Sequence, residues 1–227
     1  TLKKIEKPAI TPIPANREYE SAFLKEVRNA KVNPIEPQFL DFKKDLTVGK
    51  TTKNIPLIYK QNTQDGLFNL VFRYDFGKED DLRYSYAAYY LDYIGTKKMG
   101  VSDIKKAFYK LACNYGVSVG DKNIQISLSG LNENLPAALK LLEDVLHNAK
   151  ADKETWAQYV AQTEKSRLDA KTDQQTNFAH LWAYGRYGKY NPYRNTTSIA
   201  DLKQANPQEY IDLLGGLSNI EHTILYY

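Results

Sequence analysis

Between Leu67 and Phe76 every second residue is large and apolar: Phe68, Leu70, Phe72, Tyr74 and Phe76. A period of two puts all five side chains on one face of a single strand, so the rest of the chain must supply a layer to cover that face. Gln64-Asp65-Gly66 is a turn, and Ile55 to Gln61 reads as the strand before it. Gly77 ends the pattern. A second hairpin is predicted further on, Tyr115 to Val119 and Ile124 to Leu128, around the turn Gly120-Asp121-Lys122-Asn123.

Between and after the hairpins the period changes to that of a helix. Asp80 and Asp81 sit where a helix N-terminus favours negative charge. From there Leu82, Tyr86, Tyr89, Tyr90 and Tyr93 recur on one helical face until Gly95-Thr96 stops it. Ser102 is placed to cap a second helix running to about Asn114, within which Cys113 reads as a buried thiol. Three helices follow the second hairpin: about 135–149, about 153–170 with Asp152 as N-cap, and about 174–187 carrying Phe178, Leu181 and Trp182. Asn206-Pro207 with Glu209 opens a last helix, Gly215-Gly216 closes it, and Thr223 to Tyr227 reads as a strand. The order β-β-α-α-β-β-α-α-α-α-β predicts an α+β fold in which an antiparallel or mixed sheet packs with helix pairs, not a doubly wound parallel sheet. Residues 1–50 are broken by proline and read as a linker with one short helix from about Arg17 to Ala30, leading into a domain over 51–227.

Composition excludes several function classes. Hydrophobic residues make up 42% and aromatic residues 12%, which excludes disorder of the whole chain. The most apolar stretch, Tyr84 to Ile94, is too short for a membrane span and is broken by Asp92. The net charge of +4 comes from basic residues interleaved with acids, which argues against a nucleic-acid partner. A lone cysteine excludes an intrachain disulfide. The chain begins at Thr1 without Met or an apolar leader, as expected of a processed chain or an excised piece. His147, His180 and His222 are the three histidines, and none has a partner at helical spacing, so neither HExxH nor HxxEH occurs. Phosphate-loop and nucleophile-elbow patterns are also missing. The basic and aromatic tract Tyr184 to Lys189 reads as a packed helix end. The tyrosine face Tyr86, Tyr89, Tyr90, Tyr93 has two readings: core packing with hydroxyls at a polar rim, or the wall of a cavity that contacts peptide.

Taken in order, Phe72-Arg73-Tyr74-Asp75-Phe76-Gly77, a helix, Gly95-Thr96-Lys97-Lys98-Met99, a second helix, Tyr115-Gly116-Val117-Ser118-Val119 and Ile126-Ser127-Leu128-Ser129-Gly130-Leu131 resemble the pitrilysin/insulysin family of zinc metallopeptidases. Tyr187-Gly188, Asn191-Pro192-Tyr193 and Ile224-Leu225-Tyr226-Tyr227 fit the same layout, so the resemblance covers about residues 55–227. It implies a metallohydrolase-like repeat of the pitrilysin/mitochondrial processing peptidase type. In active members the helix before the Gly-Thr carries HxxEH, two zinc ligands around a general base. Counting back from Gly95-Thr96, those places fall on Tyr86, Tyr89 and Tyr90. A phenol is a poor substitute for an imidazole ligand and, with a pKa near 10, a poor base at neutral pH. Glu164 lies near the place of the family's third ligand, and without the histidines it is not expected to bind metal.

The resemblance therefore implies a non-catalytic domain, inactive alone, of a larger zinc metalloendopeptidase. Catalytic and metal-binding residues are expected to be absent from this chain. Zinc is expected in the catalytic half of the same polypeptide or in a partner subunit, and peptide is the expected substrate of the whole. The domain would form part of a peptide-enclosing chamber, and its closing helix is expected beyond Tyr227. The bacterial periplasm or cell envelope is the compartment the family implies. The alternative is a scaffold or assembly module of the same fold with no proteolytic role.

Overall fold

The computed structural model describes residues 20–227, and these divide into two compact units on either side of the Leu40–Asp41 junction. In the first unit, helix α1 (Ala22–Asn29) begins at Ser21, whose Oγ accepts from the Leu24 amide at 3.1 Å, and none of its residues is buried. The start of the expected helix from Arg17, and the proline-rich residues before it, lie outside the described residues.

The second unit is built on a six-stranded sheet of β1 (Thr47–Lys50), β2 (Pro56–Tyr59), β3 (Leu67–Tyr74), β4 (Cys113–Val119), β5 (Ile124–Leu131) and β6 (Thr223–Tyr226). Their order across the sheet is β1-β2-β6-β3-β5-β4. Only β2 and β6 run parallel, so the sheet is mixed and the fold is α+β. Antiparallel register sets Leu70 opposite Leu128, Phe72 opposite Ile126 and Tyr74 opposite Ile124. The period-two face of β3 thus meets the period-two face of β5. Phe68, Leu70, Tyr74, Ile124, Ile126 and Leu128 are buried, while Asn69 and Arg73 on the opposite face are exposed.

Helices make up the rest of the unit: α2 (Arg83–Leu91), α3 (Val101–Lys110), α4 (Leu135–Asn148), α5 (Lys153–Ala170), α6 (Gln174–Tyr187), α7 (Ile199–Gln204) and α8 (Pro207–Gly216). α2 and α3 pack on β4, α4 packs on β5, and α8 packs against both α2 and α4. Asp152 caps α5 by accepting from the Thr155 amide at 2.7 Å. Asn206 caps α8 by accepting from the Gln208 amide at 3.2 Å, ahead of Pro207 in the first turn.

Several elements differ from the sequence reading. β1, an exposed four-residue edge strand with no apolar alternation, was not anticipated, and it belongs to the sheet although it falls within the expected linker. α7, six residues long, was also missed. α3 begins after Gly100, not at a Ser102 cap, and stops at Lys110, because Ala112 takes a left-handed turn with φ 48°. Cys113 therefore opens β4 and is not helical, though it is buried as expected.

Gly130 shows how closely that turn meets the sheet. It pairs with Cys113, has φ +153°, and a Cβ there would stand 2.5 Å from the Ala112 carbonyl oxygen and 2.7 Å from Cys113 Cα. Both atoms are backbone and cannot swing away. Gly130→Ala is expected to lower stability by about 2 kcal/mol or more. Urea titration would register this as a lower midpoint at unchanged slope.

Candidate functional site

α2 carries the three tyrosines and α5 faces them. Tyr90 is fully buried. Its Oη donates to the Asp152 carbonyl at 2.6 Å and accepts from the Asp152 amide at 2.9 Å. Its ring meets Trp156 edge-on at 5.0 Å. Tyr86 is buried as well, and its Oη accepts from Arg167 Nη2 at 2.9 Å and from the Thr197 amide at 3.2 Å. Tyr89 is different: 59% exposed, it stacks on Tyr159 with centroids 5.7 Å apart. The supposed single tyrosine face is therefore two. Tyr86 and Tyr90 turn into the core, and Tyr89 and Tyr93 line a cleft of about 1010 Å³ with Tyr159 and Arg167. Tyr93 lies beyond the end of α2, which stops at Leu91.

These oxygens do not suit a metal ion. The Tyr90 phenol is consumed by backbone groups, and the Tyr86 phenol is consumed partly by a guanidinium. A cation already stands where a second cation would have to bind, and Coulomb repulsion opposes it. Glu164 points elsewhere: its Oε2 pairs with Lys203 Nζ of α7 at 2.8 Å. The α5 positions that face α2 are Trp156, Tyr159 and Arg167, with Thr163 beside them in the cleft.

The histidines are dispersed. His147 is in the last turn of α4, His180 of α6 lies 4.3 Å from the Tyr193 ring, and His222 is buried against Phe72 and Tyr74 with Nδ1 donating to the Ile220 carbonyl. Among the described residues no three of His, Cys, Asp and Glu come together in a group able to hold a metal ion. No described helix is long and apolar enough to cross a membrane. Asp80 accepts from the Gly77 amide at 2.8 Å, and Asp81 grips Arg83. The Arg83 contact holds the Asp81 carboxyl below the usual carboxylate range. Both acids are thus occupied in shaping the entry to α2.

Sequence reasoning missed Arg167, Tyr159 and Trp156. A signal existed: 156, 159, 163 and 167 recur at steps of three and four, which is one face of a helix.

No protein-family model matches the sequence, and no curated protein matches it. The fold is that of the pitrilysin-type, or M16, peptidases. The periplasmic protease PqqL from Escherichia coli is similar at a TM-score of 0.67 and 13% identity, over 97% of this chain and 24% of that one. The peptidase M16 inactive domain from Pseudomonas fluorescens gives 0.64 and 16%, over 80% of this chain and 46% of that one. The ferredoxin protease FusC, solved with Arabidopsis ferredoxin, gives 0.68 and 10%, over 88% of this chain and 23% of that one. This chain spans less than half the length of each.

Tyr90→Phe would leave the Asp152 amide and carbonyl without their phenol, and is expected to destabilise by about 1–3 kcal/mol. Tyr89→Phe, at the exposed neighbouring position, is expected to stay within about 0.5 kcal/mol of the parent. Parallel urea titrations would check the contrast. Burial also pushes Tyr74, Tyr115 and Tyr159 up from 10.0 to about 12. The unfolded chain gives up these protons near 10 while the folded chain keeps them, so stability falls as pH rises from about 10 to 12. The thermal midpoint should drop across that window, and a flat midpoint would contradict the burial.

Proposed function

We propose that this chain is a catalytically silent domain of a larger zinc metalloendopeptidase. The observation that carries the reading is α2 itself. Counted back from Gly95-Thr96, the resemblance makes it the counterpart of the family's metal-binding helix, and its buried phenols are tied to Asp152, Arg167 and Thr197. In this reading the zinc and its general base belong to the other half of the enzyme. That half would be in the same polypeptide or in a partner subunit.

The domain's own work would be to wall a peptide chamber and to present an edge to the substrate. β4 ends the sheet and, among the described residues, pairs with β5 alone, which leaves one side of its backbone for an added strand. Closure around such a strand would exclude water from the reaction. The surface of α6 supports membership of something larger. Phe178, Leu181 and Trp182 are 68%, 68% and 56% exposed on consecutive turns. A contiguous apolar patch of this kind usually marks a contact surface. In this reading the linker joining the halves ends near Leu40 and not at residue 50, because β1 is already part of the sheet of the inactive peptidase domain. The E. coli neighbour is a periplasmic protease, which supports an exported compartment here.

Two measurements test this. The 227-residue chain, purified without chelator, should hold well below one zinc per molecule and leave a peptide mixture uncut. One tightly held zinc per chain overturns the non-catalytic reading. Hydrogen exchange should then show the β4 amides slowed by an added unfolded polypeptide. Exchange that does not change would favour the scaffold alternative over the chamber.

A further inference from the structure

The cleft beside α2 contains a cation that the fold does not neutralise. Arg28, Arg73 and Arg83 each pair with a carboxylate. Among the described residues Arg167, like Arg186 and Arg194, has no carboxylate partner, and it is held by neutral oxygens: Nη1 donates to the Thr197 carbonyl at 2.8 Å and Nη2 to Tyr86 Oη at 2.9 Å. Because Tyr86 Oη also accepts from the Thr197 amide, helix α2, helix α5 and the segment before α7 together hold the guanidinium in place. A guanidinium has five N–H donors, and these two bonds leave others free on a side chain that lines the cleft.

The surroundings favour an anion. Lys171 adds a second positive charge, and among the described residues no Asp or Glu lines the cleft. Tyr89 and Tyr159 stack at 26° and give a flat apolar plate beside the charge. Gln158, Gln162 and Asn177 supply amides that both donate and accept, as a peptide backbone requires. At about 1010 Å³ the cleft reaches the upper end of the range for small-molecule pockets, which suits a chain segment better than a single small ion.

We propose that this cleft binds a carboxylate of an extended peptide. Arg167 is the anchor, Lys171 lies at the rim, and the Tyr89–Tyr159 stack receives the side chain next to the carboxylate. A planar guanidinium matches a carboxylate with two parallel hydrogen bonds, and here no competing carboxylate has to be displaced. That the ligand is a peptide rests on the function proposed above. The preference for a carboxylate rests on the cleft alone.

The test uses fluorescence anisotropy of the whole chain with labelled unstructured peptides. The peptides are an acidic one, its Gln/Asn counterpart, and the acidic one with an amidated C-terminus. The acidic peptide should bind about tenfold tighter than the neutral one, and the gap should narrow as salt rises. Loss of binding on amidation would assign the terminal carboxylate, and retention would assign an acidic side chain. Both outcomes support the anchor. Arg167→Lys keeps the charge but loses the fork, and should weaken binding several-fold. Arg167→Gln risks the fold, so Lys171→Glu, which reverses an exposed charge, is the safer variant, and it should abolish the acidic preference. Equal affinity for acidic and neutral peptides, or an unaltered preference in Lys171→Glu, would overturn the proposal and leave the chamber reading standing. Zinc on the chain would instead sink the non-catalytic reading, whatever the anisotropy shows.

Discussion

The phenol of Tyr90 joins two helices whose contacting residues are 62 positions apart. By donating to the carbonyl and accepting from the amide of Asp152, it engages both backbone groups of one residue, across two successive peptide units. That residue is also the N-cap of α5, so the bond fixes where the helix starts. Trp156, one turn on, meets the Tyr90 ring at 5.0 Å and the Tyr210 ring of α8 at 5.0 Å, and its Nε1 donates to the Leu202 carbonyl of α7. One aromatic joint thus collects α2, α5, α7 and α8. Every polar atom of that joint named here has a partner, as burial requires.

This joint explains why α2 has a second, wet side. With Tyr86 and Tyr90 turned inward, Tyr89, about 100° round the helix from Tyr90, emerges into the cleft, where Tyr93 just beyond α2 joins it. There Tyr159 supports Tyr89. Tyrosine suits both tasks, because its ring packs like a hydrocarbon while its hydroxyl reaches a polar group. A glutamate at Tyr90 would be a different matter. A carboxylate only accepts hydrogen bonds when ionised and could not donate to the Asp152 carbonyl, and burying its charge would cost several kcal/mol.

Much of this fold was legible in the sequence, and the reasons are local. α5 and α6 could be bounded because Asp152 and Asp173 cap them through Thr155 and Thr176. The faces of β3 and β5 followed from alternation. The sheet order did not, because the parallel pairing that sets Leu57 beside Ile224 depends on contacts no local pattern encodes. β1 and α7 are too short to show a period. The site was less legible than the fold. Spacing from a family pattern pointed to Glu164, but each residue along a helix turns the side chain by about 100°. Thr163 lines the cleft while Glu164 reaches Lys203 on the other side. Arg167 escaped notice because its two partners, Tyr86 and Thr197, are 81 and 30 positions away.

α2 also connects the two surfaces proposed to meet a peptide. It packs on β4, the open edge of the sheet, and its Tyr89 lines the cleft. An edge strand recognises backbone and is indifferent to sequence, because every residue but proline offers the same amide and carbonyl. A fixed guanidinium beside a tyrosine plate recognises charge and side-chain shape. Because both are referred to one helix, and that helix is pinned through Tyr90, neither surface can shift without moving the buried joint. The hydrogen bonds that occupy the α2 phenols also hold Arg167 in place, and a rigid anchor loses less entropy on binding than a mobile one.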